Sequence, residues 1–310
     1  MVWHQFHYNF QSLKNLTYNP TPVQEIAHPA AESAGVRLLV KREDLNHPYV
    51  SGNKWWKLKY NLTSAADRGV LTLLTFGGAF SNHLYATAAA ASALNLKSIG
   101  IIRGEETLPL NPTLQFAKDR GMIFKYVSRE QYRRKAEPEF IEKLRQEFGG
   151  FYEIPEGGSN ILAVKGCAEF AERELSKIDF DYLCLPVGTG GTIAGLICGF
   201  HGKKNIIGIS VLKNGEFLQT EIINHIRDFS AQVYPDWSLL TAYHLGGYAK
   251  VTNDLLLLID EMKLVYDLPL DPVYTGKLVW GALKEIESGT FKRGSTILLL
   301  HTGGLHGIVN

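Results

Sequence analysis

Tyr182-Leu183-Cys184-Leu185-Pro186-Val187-Gly188-Thr189-Gly190-Gly191-Thr192 is the stretch on which the fold turns. Six mostly apolar residues read as a strand, Tyr182–Val187. A glycine-rich turn follows, and a small-residue helix starts over Thr192–Gly199. Strand, glycine turn and helix make the first half of a βαβ unit. The same order recurs. Val70–Phe76 reads as a strand, Gly77-Gly78-Ala79-Phe80 as a turn, and Ser81–Leu94 as an Ala-rich helix. Glu156-Gly157-Gly158-Ser159-Asn160 precedes a helix over Leu162–Lys177, and Thr302-Gly303-Gly304 follows a strand at Thr296–His301. Nine of the 30 glycines lie in these four loops.

Working outward, Val36–Val40, Lys97–Arg103, Met122–Val127 and Ile206–Leu212 read as further strands. Thr113–Arg120, Asp254–Met262 and Lys277–Ser288 read as helices, and Glu130–Phe148 as a charged helix interrupted near Pro138. Alternation at this spacing predicts an α/β fold with mostly parallel sheet. Residues number 310, enough for about two domains, and no Pro/Gly/Ser-rich linker divides the chain, so two domains should be intertwined.

Lys plus Arg is 32 and Asp plus Glu is 31, which gives no global field for nucleic acid or an anionic membrane. The most apolar windows, 86–96 and 297–300, are too short for a membrane helix. The opening MVWHQFHYNF lacks the basic and apolar regions of a signal peptide. Cys167, Cys184 and Cys198 form no CxxC pair, which suits buried thiols in a reducing, cytoplasmic setting.

Glycine at a strand-to-helix turn lets the backbone approach a ligand, and a helix N-terminus favours an anion. Ordinary turns also need glycine, but four such loops, two of them with Ser or Thr and Asn, weaken that explanation. GTGGTIAG has Ile193 where a dinucleotide fingerprint needs its third glycine. P-loop, nucleophile-elbow and zinc patterns are absent, and His301 and His306 read as loop residues. Ser51-Gly52-Asn53-Lys54-Trp55-Trp56-Lys57-Leu58 runs from a polar turn into a helix, with Lys54 and Lys57 on one face. Either the lysine heads sit in water, or Lys54 is desolvated and becomes a nucleophile. A reactive lysine with several glycine anion loops points to pyridoxal 5′-phosphate.

Lys41-Arg42-Glu43-Asp44-Leu45-Asn46, SGNKWWKL, GGAFSNH, IPEGGSN, Leu270-Asp271-Pro272-Val273-Tyr274-Thr275-Gly276-Lys277 and LLLHTGG occur in this order. Together they resemble the 1-aminocyclopropane-1-carboxylate deaminase and D-cysteine desulfhydrase family, tryptophan-synthase-β-like enzymes of pyridoxal phosphate. The resemblance runs from about Val36 to the end. It implies two open twisted, mostly parallel sheets flanked by helices, with the cofactor in the cleft between two domains. Residues 1–56 and 156–310 should form the larger, cofactor-binding domain, and 57–155 a smaller inserted one. A homodimer is implied as well.

The resemblance makes Lys54 the Schiff-base lysine and Lys57 a phosphate neighbour. Gly188, Thr189, Gly190, Gly191 and Thr192 match the phosphate cup, and Thr302 lies where the last glycine loop meets the pyridine ring. Ser81, Asn82 and His83 should receive the substrate carboxylate, with Asn82 also near the cofactor's 3′-hydroxyl. Tyr248 and Tyr274 should bracket the substrate side chain as acid/base groups; simple packing is the other explanation for Tyr248. His83 stands where deaminases carry Gln, and Thr275 where they carry a Glu that keeps the ring nitrogen protonated. A threonine there leaves the ring a weaker electron sink, which suits β-elimination better than opening a cyclopropane. Trp55-Trp56 replaces a polar or basic pair, and 206–244 is shortened, so both bear on the pocket. The expected activity is desulfhydrase-type β-elimination from a small amino acid, giving a 2-oxo acid and ammonia. Rivals are a true deaminase, a β-replacing synthase or racemase suggested by GTGGT, and a catalytically decayed binding protein.

Overall fold

A computed structural model describes residues 16–305, so the opening decapeptide and His306 lie outside the described residues. The elements run β1 (Val23–Glu25), α1 (Pro29–Ala34), β2 (Arg37–Lys41), α2 (Asn53–Asp67), β3 (Thr72–Gly78), α3 (Asn82–Ala93), β4 (Lys97–Arg103) and α4 (Pro112–Asp119). Then come β5 (Met122–Val127), α5 (Arg129–Arg133), α6 (Pro138–Phe148), β6 (Tyr152–Ile154), α7 (Ile161–Arg173), β7 (Tyr182–Val187) and α8 (Gly191–Phe200). The chain ends with β8 (Asn205–Ser210), α9 (Phe217–Phe229), β9 (Trp237–Leu240), α10 (Asn253–Tyr266), α11 (Thr275–Glu287) and β10 (Thr296–Leu300).

These strands form two sheets, in the orders β1-β2-β10-β7-β8-β9 and β5-β4-β3-β6. Only β1 runs antiparallel to its neighbour; every other pair is parallel. Helices cover both faces of each parallel sheet, which is why the strands read as continuous apolar runs. Among the described residues no helix is long and apolar enough to cross a membrane.

Helix α2 joins the two sheets. Trp56 packs in the core of the six-stranded sheet, while Leu58, Leu62 and Ala65 pack in a core that includes strand residues of the four-stranded one. Its start is fixed by Glu43, which is fully buried. The Glu43 carboxylate accepts hydrogen bonds from Trp56 Nε1 at 3.0 Å, Asn46 Nδ2 at 2.9 Å and Tyr18 Oη at 2.9 Å. Trp56 stacks on Phe170, with ring centroids 4.9 Å apart. Trp55 Nε1 donates to the Leu16 carbonyl at 3.0 Å, and neither tryptophan lines the cleft, which corrects the pair's expected bearing on the pocket.

Helix α8 follows the glycine turn of β7 and is buried on every side. A Cβ on Gly195 would strike the Cys167 side chain and the Val164 carbonyl of α7, and one on Gly199 the Ala168 carbonyl. The glycines let the two helices touch backbone to backbone. The segment that looked shortened holds β8, α9 and β9, and α9 packs on α8.

Candidate active site

A cavity of about 510 Å³ lies at the carboxyl ends of β3 and β7. Ligands gather at such strand ends because helix N-termini converge there. Twelve of the expected site residues line it: Lys54, Lys57, Ser81, Asn82, His83, Gly188, Thr189, Gly190, Thr192, Tyr248, Tyr274 and Thr302. Gly191 and Thr275 are not among the lining residues.

Lys54 sits in the first turn of α2, entered through Gly52 at φ +67°. A Cβ on Gly52 would collide with the Thr302 carbonyl, so the loop after β10 can lie directly against the start of α2. Lys54 Nζ donates to Asn53 Oδ1 at 2.8 Å, and Asn53 Nδ2 donates to Thr192 Oγ1 at 2.9 Å. Burial lowers the Lys54 ammonium to about 8. Burial, reinforced by Lys54, lowers Lys57 to about 7. These lysine heads are desolvated, which makes their amines nucleophilic near neutral pH.

Lys57 Nζ donates to Ser159 Oγ at 2.7 Å, and Ser159 Oγ lies 2.6 Å from Thr189 Oγ1. Gly190, at φ +77°, turns the chain into α8, whose first N–H groups have no partner within the helix. A Cβ on Gly191 would approach Ser159 Oγ to 2.7 Å, and one on Gly157 would approach Thr189 Oγ1 to 2.8 Å. Glycine, hydroxyls, a lysine and a helix N-terminus thus share one concave surface suited to a phosphate. Gly191 is the first residue of that helix and does not line the cavity.

Ser81 caps α3, accepting from Leu84 N at 3.4 Å and keeping its own O–H free to donate. The Asn82 amide lies over Gly304, where a Cβ would collide with it. His83 departs from expectation. Thr75 Oγ1 donates to the Ile154 carbonyl at 2.7 Å, so its one proton is committed. The His83 Nε2 atom, 2.8 Å from the same oxygen, must then be the donor. Burial, with Lys54 and Lys57 nearby, pushes His83 well below its usual range, so the ring is neutral. Its Nδ1 is a buried acceptor without a partner. A lone acceptor repels a carboxylate, which goes against the expected place of His83 in holding that anion.

Thr275 is a second correction. Its hydroxyl donates to Asp271 Oδ2 at 2.7 Å and accepts from Asp271 N at 2.8 Å. Fully buried at the start of α11, it organises that helix and has no proton left for a ring nitrogen. Thr302 lies on the cavity wall. Tyr248 and Tyr274 meet in a T-shaped pair 6.0 Å apart. Burial raises both phenols, and Tyr274 is raised further by Tyr248, so both stay protonated.

Sequence reasoning gave no role to Ser159, Thr75, Arg103 or Glu221. Ser159 lies in the glycine loop before α7, and Arg103 ends β4 at the ligand-binding edge of a parallel sheet. Thr75 lies inside a buried strand and carried no signal. Glu221 lies on α9, a helix the periodicity did not reveal.

Two parallel sheets with a desolvated lysine and a phosphate cup between them define an enzyme of pyridoxal phosphate. The chain belongs to the family described as "Pyridoxal-phosphate dependent enzyme", whose sequence pattern matches residues 14–303. The chain is 31% identical to the Arabidopsis thaliana protein named bifunctional D-cysteine desulfhydrase/1-aminocyclopropane-1-carboxylate deaminase, mitochondrial, covering 95% of this chain and 78% of that one. It is 30% identical to a Burkholderia lata 1-aminocyclopropane-1-carboxylate deaminase, over 94% of this chain and 93% of the other. A solved structure described as an ACC deaminase homologue superposes with a TM-score of 0.81 at 29% identity, covering 98% and 96%.

Proposed function

We propose that the chain is a lyase of a small amino acid that carries out D-cysteine desulfhydrase-like β-elimination. The observation that carries the reading is the pair of desolvated lysines beside the glycine-lined cup. Lys54 would hold the cofactor covalently. Lys57, Ser159, Thr189 and the α8 N-terminus would hold its phosphate, Asn82 its 3′-hydroxyl and Thr302 its ring nitrogen. When bound, pyridoxal phosphate supplies an electron sink for the pair left at Cα.

The protein's own groups do the rest. Ser81, Asn82 and the α3 N-terminus fix the carboxylate, which orients Cα–H toward Lys54. Lys54, freed as substrate binds, takes the Cα proton on Nζ. The Cβ–S bond breaks with its electron pair on sulfur, and Tyr248 or Tyr274 donates a proton there. The freed 2-aminoacrylate hydrolyses to a 2-oxo acid and ammonia. His83 contributes an acceptor, not a charge.

Around this chemistry we place residues 57–155, with the four-stranded sheet, as a smaller domain inserted into the larger one. The division within α2 supports it, since Trp56 and Leu58 belong to different cores. Three buried free thiols support a reducing, cytoplasmic compartment. Exposed Leu256, Leu257, Leu264 and Val265 on α10 support a homodimer.

The test is reconstitution with pyridoxal phosphate. The wild type should gain visible absorbance and form a 2-oxo acid, ammonia and sulfide from D-cysteine, and Lys54→Ala should lose both. A wild type that stays colourless overturns the reading. Product from 1-aminocyclopropane-1-carboxylate instead of D-cysteine would shift it to a deaminase.

A further inference from the structure

The cavity holding Lys54 opens into a second basin whose charge is one-sided. Arg103, Arg129, Arg133, Lys135 and Lys250 face it against the single carboxylate of Glu156. Arg103, Lys135, Glu156 and Tyr248 belong to both walls, so the two spaces adjoin beside Tyr248. Lys135 Nζ lies 3.2 Å from Glu156 and offsets that carboxylate. Among the described residues the other four cations make no ion pair. Arg103 lies 5.6 Å over the Tyr132 ring, and Lys135 lies 4.8 Å from the same ring. An Arg103 terminal nitrogen would lie 3.4 Å from a Cβ on Gly78, three residues before Ser81. Tyr132 is a lining residue of the basin, and its buried phenol faces the Glu156 carboxylate.

The chain as a whole carries a net charge of +1, so this cluster is a local concentration. The substrate's α-carboxylate already has a place at the α3 N-terminus. Three guanidinium groups, which suit planar two-point contact with oxyanions, are left over.

We propose that the site selects amino acids whose side chain carries a second anionic group, a carboxylate, sulfonate or sulfate ester, and that Arg103 is the residue that meets it. The proposal rests on the lyase reading and names the substrate class of the same site.

The test uses the holoenzyme in matched pairs, with both enantiomers of each compound. Serine O-sulfate and cysteate are compared with 3-chloroalanine for turnover. Aspartate is compared with alanine for binding, read by tryptophan fluorescence. The anionic member of each pair should be favoured by about tenfold or more at low salt, and the ratio should shrink as salt rises. Arg103→Met should collapse the ratio, and Arg103→Lys should retain part of it. Equal use of both members overturns the proposal, as does an Arg103→Met enzyme that loses the same factor on both. If nothing is turned over, the aspartate-to-alanine binding ratio decides alone. A holoenzyme that consumes 3-chloroalanine without an anion preference sinks this proposal and leaves the lyase reading standing. A chain that takes up no pyridoxal phosphate fails the lyase reading itself.

Discussion

His83 shows how one buried hydroxyl sets the chemistry of a neighbour. Thr75 spends its proton on the Ile154 carbonyl, which leaves it only a lone pair for His83 Nε2–H. The imidazole is thereby held with Nδ1 free as an acceptor. Thr75→Val removes that acceptor and leaves a buried N–H unpaired. Such a loss costs about 1–3 kcal/mol of stability, and kcat/KM should fall because the ring is no longer held in one tautomer. Thr75→Ser restores the hydroxyl and should keep most of the activity. A structural role alone would lower Tm without moving the pH profile. The expectation here is a changed profile, because an unlocked ring can exchange tautomers. A Thr75→Val enzyme with wild-type kcat/KM and an unaltered profile refutes this positioning role.

Helices α2, α7 and α8 place the lysines and the phosphate cup, and glycines set their spacing. A Cβ on Gly195 would strike both the Cys167 side chain and the α7 backbone. Gly195→Ala should cost about 1–3 kcal/mol, as overpacking does, and should displace the α8 N-terminus. The resulting loss of cofactor affinity, measured by titration with pyridoxal phosphate, should exceed that of Gly289→Ala. Gly289 has nothing within 4 Å of its added Cβ, although its φ of +78° still adds local strain. Equal affinities in the two variants would rule out control of the cup by this packing. Buried Lys277 fixes another element, donating from Nζ to the Gly247 carbonyl at 2.6 Å and tying down the loop that carries Tyr248. Lys277→Met should loosen that loop and lower kcat more than it weakens cofactor binding. The reverse order of effects would show that the lysine supports the cofactor instead.

Across the whole molecule, strands such as Lys97–Arg103, Met122–Val127 and Tyr182–Val187 were legible because parallel strands covered on both faces are apolar throughout. β1, β6, α1, α9 and β9 were not read from the sequence. The strands among them are three or four residues long, too short to establish a period, and α9 carried no capping signal strong enough to mark its start. Lysine, cup and tyrosines were legible as motifs. The commitments of His83 and Thr275 were not, since each depends on where another side chain's single proton goes. The global consequence of the buried lysines was equally invisible in a near-neutral composition, and it predicts a pH dependence. Burial lowers Lys57 to about 7 and Lys54 and Lys277 to about 8, from about 10.5 in the unfolded chain. Between pH 7 and 9 the unfolded chain therefore binds more protons than the folded one, and stability rises with pH. Above about 9 the sign reverses, because burial raises the thiols of Cys167, Cys184 and Cys198 together with phenols such as Tyr18, Tyr132, Tyr248 and Tyr274, all of which the unfolded chain deprotonates first. The Tm of the cofactor-free protein should climb from pH 7 to 9 and then fall. Lys57→Met should flatten the climb. Pyridoxal phosphate should flatten it as well, since a phosphate beside Lys57 favours the ammonium that burial alone penalises. A cofactor-free Tm that falls steadily from pH 7 to 9 would mean that these lysines are solvated and that Lys54 lacks the desolvation on which its nucleophilicity rests.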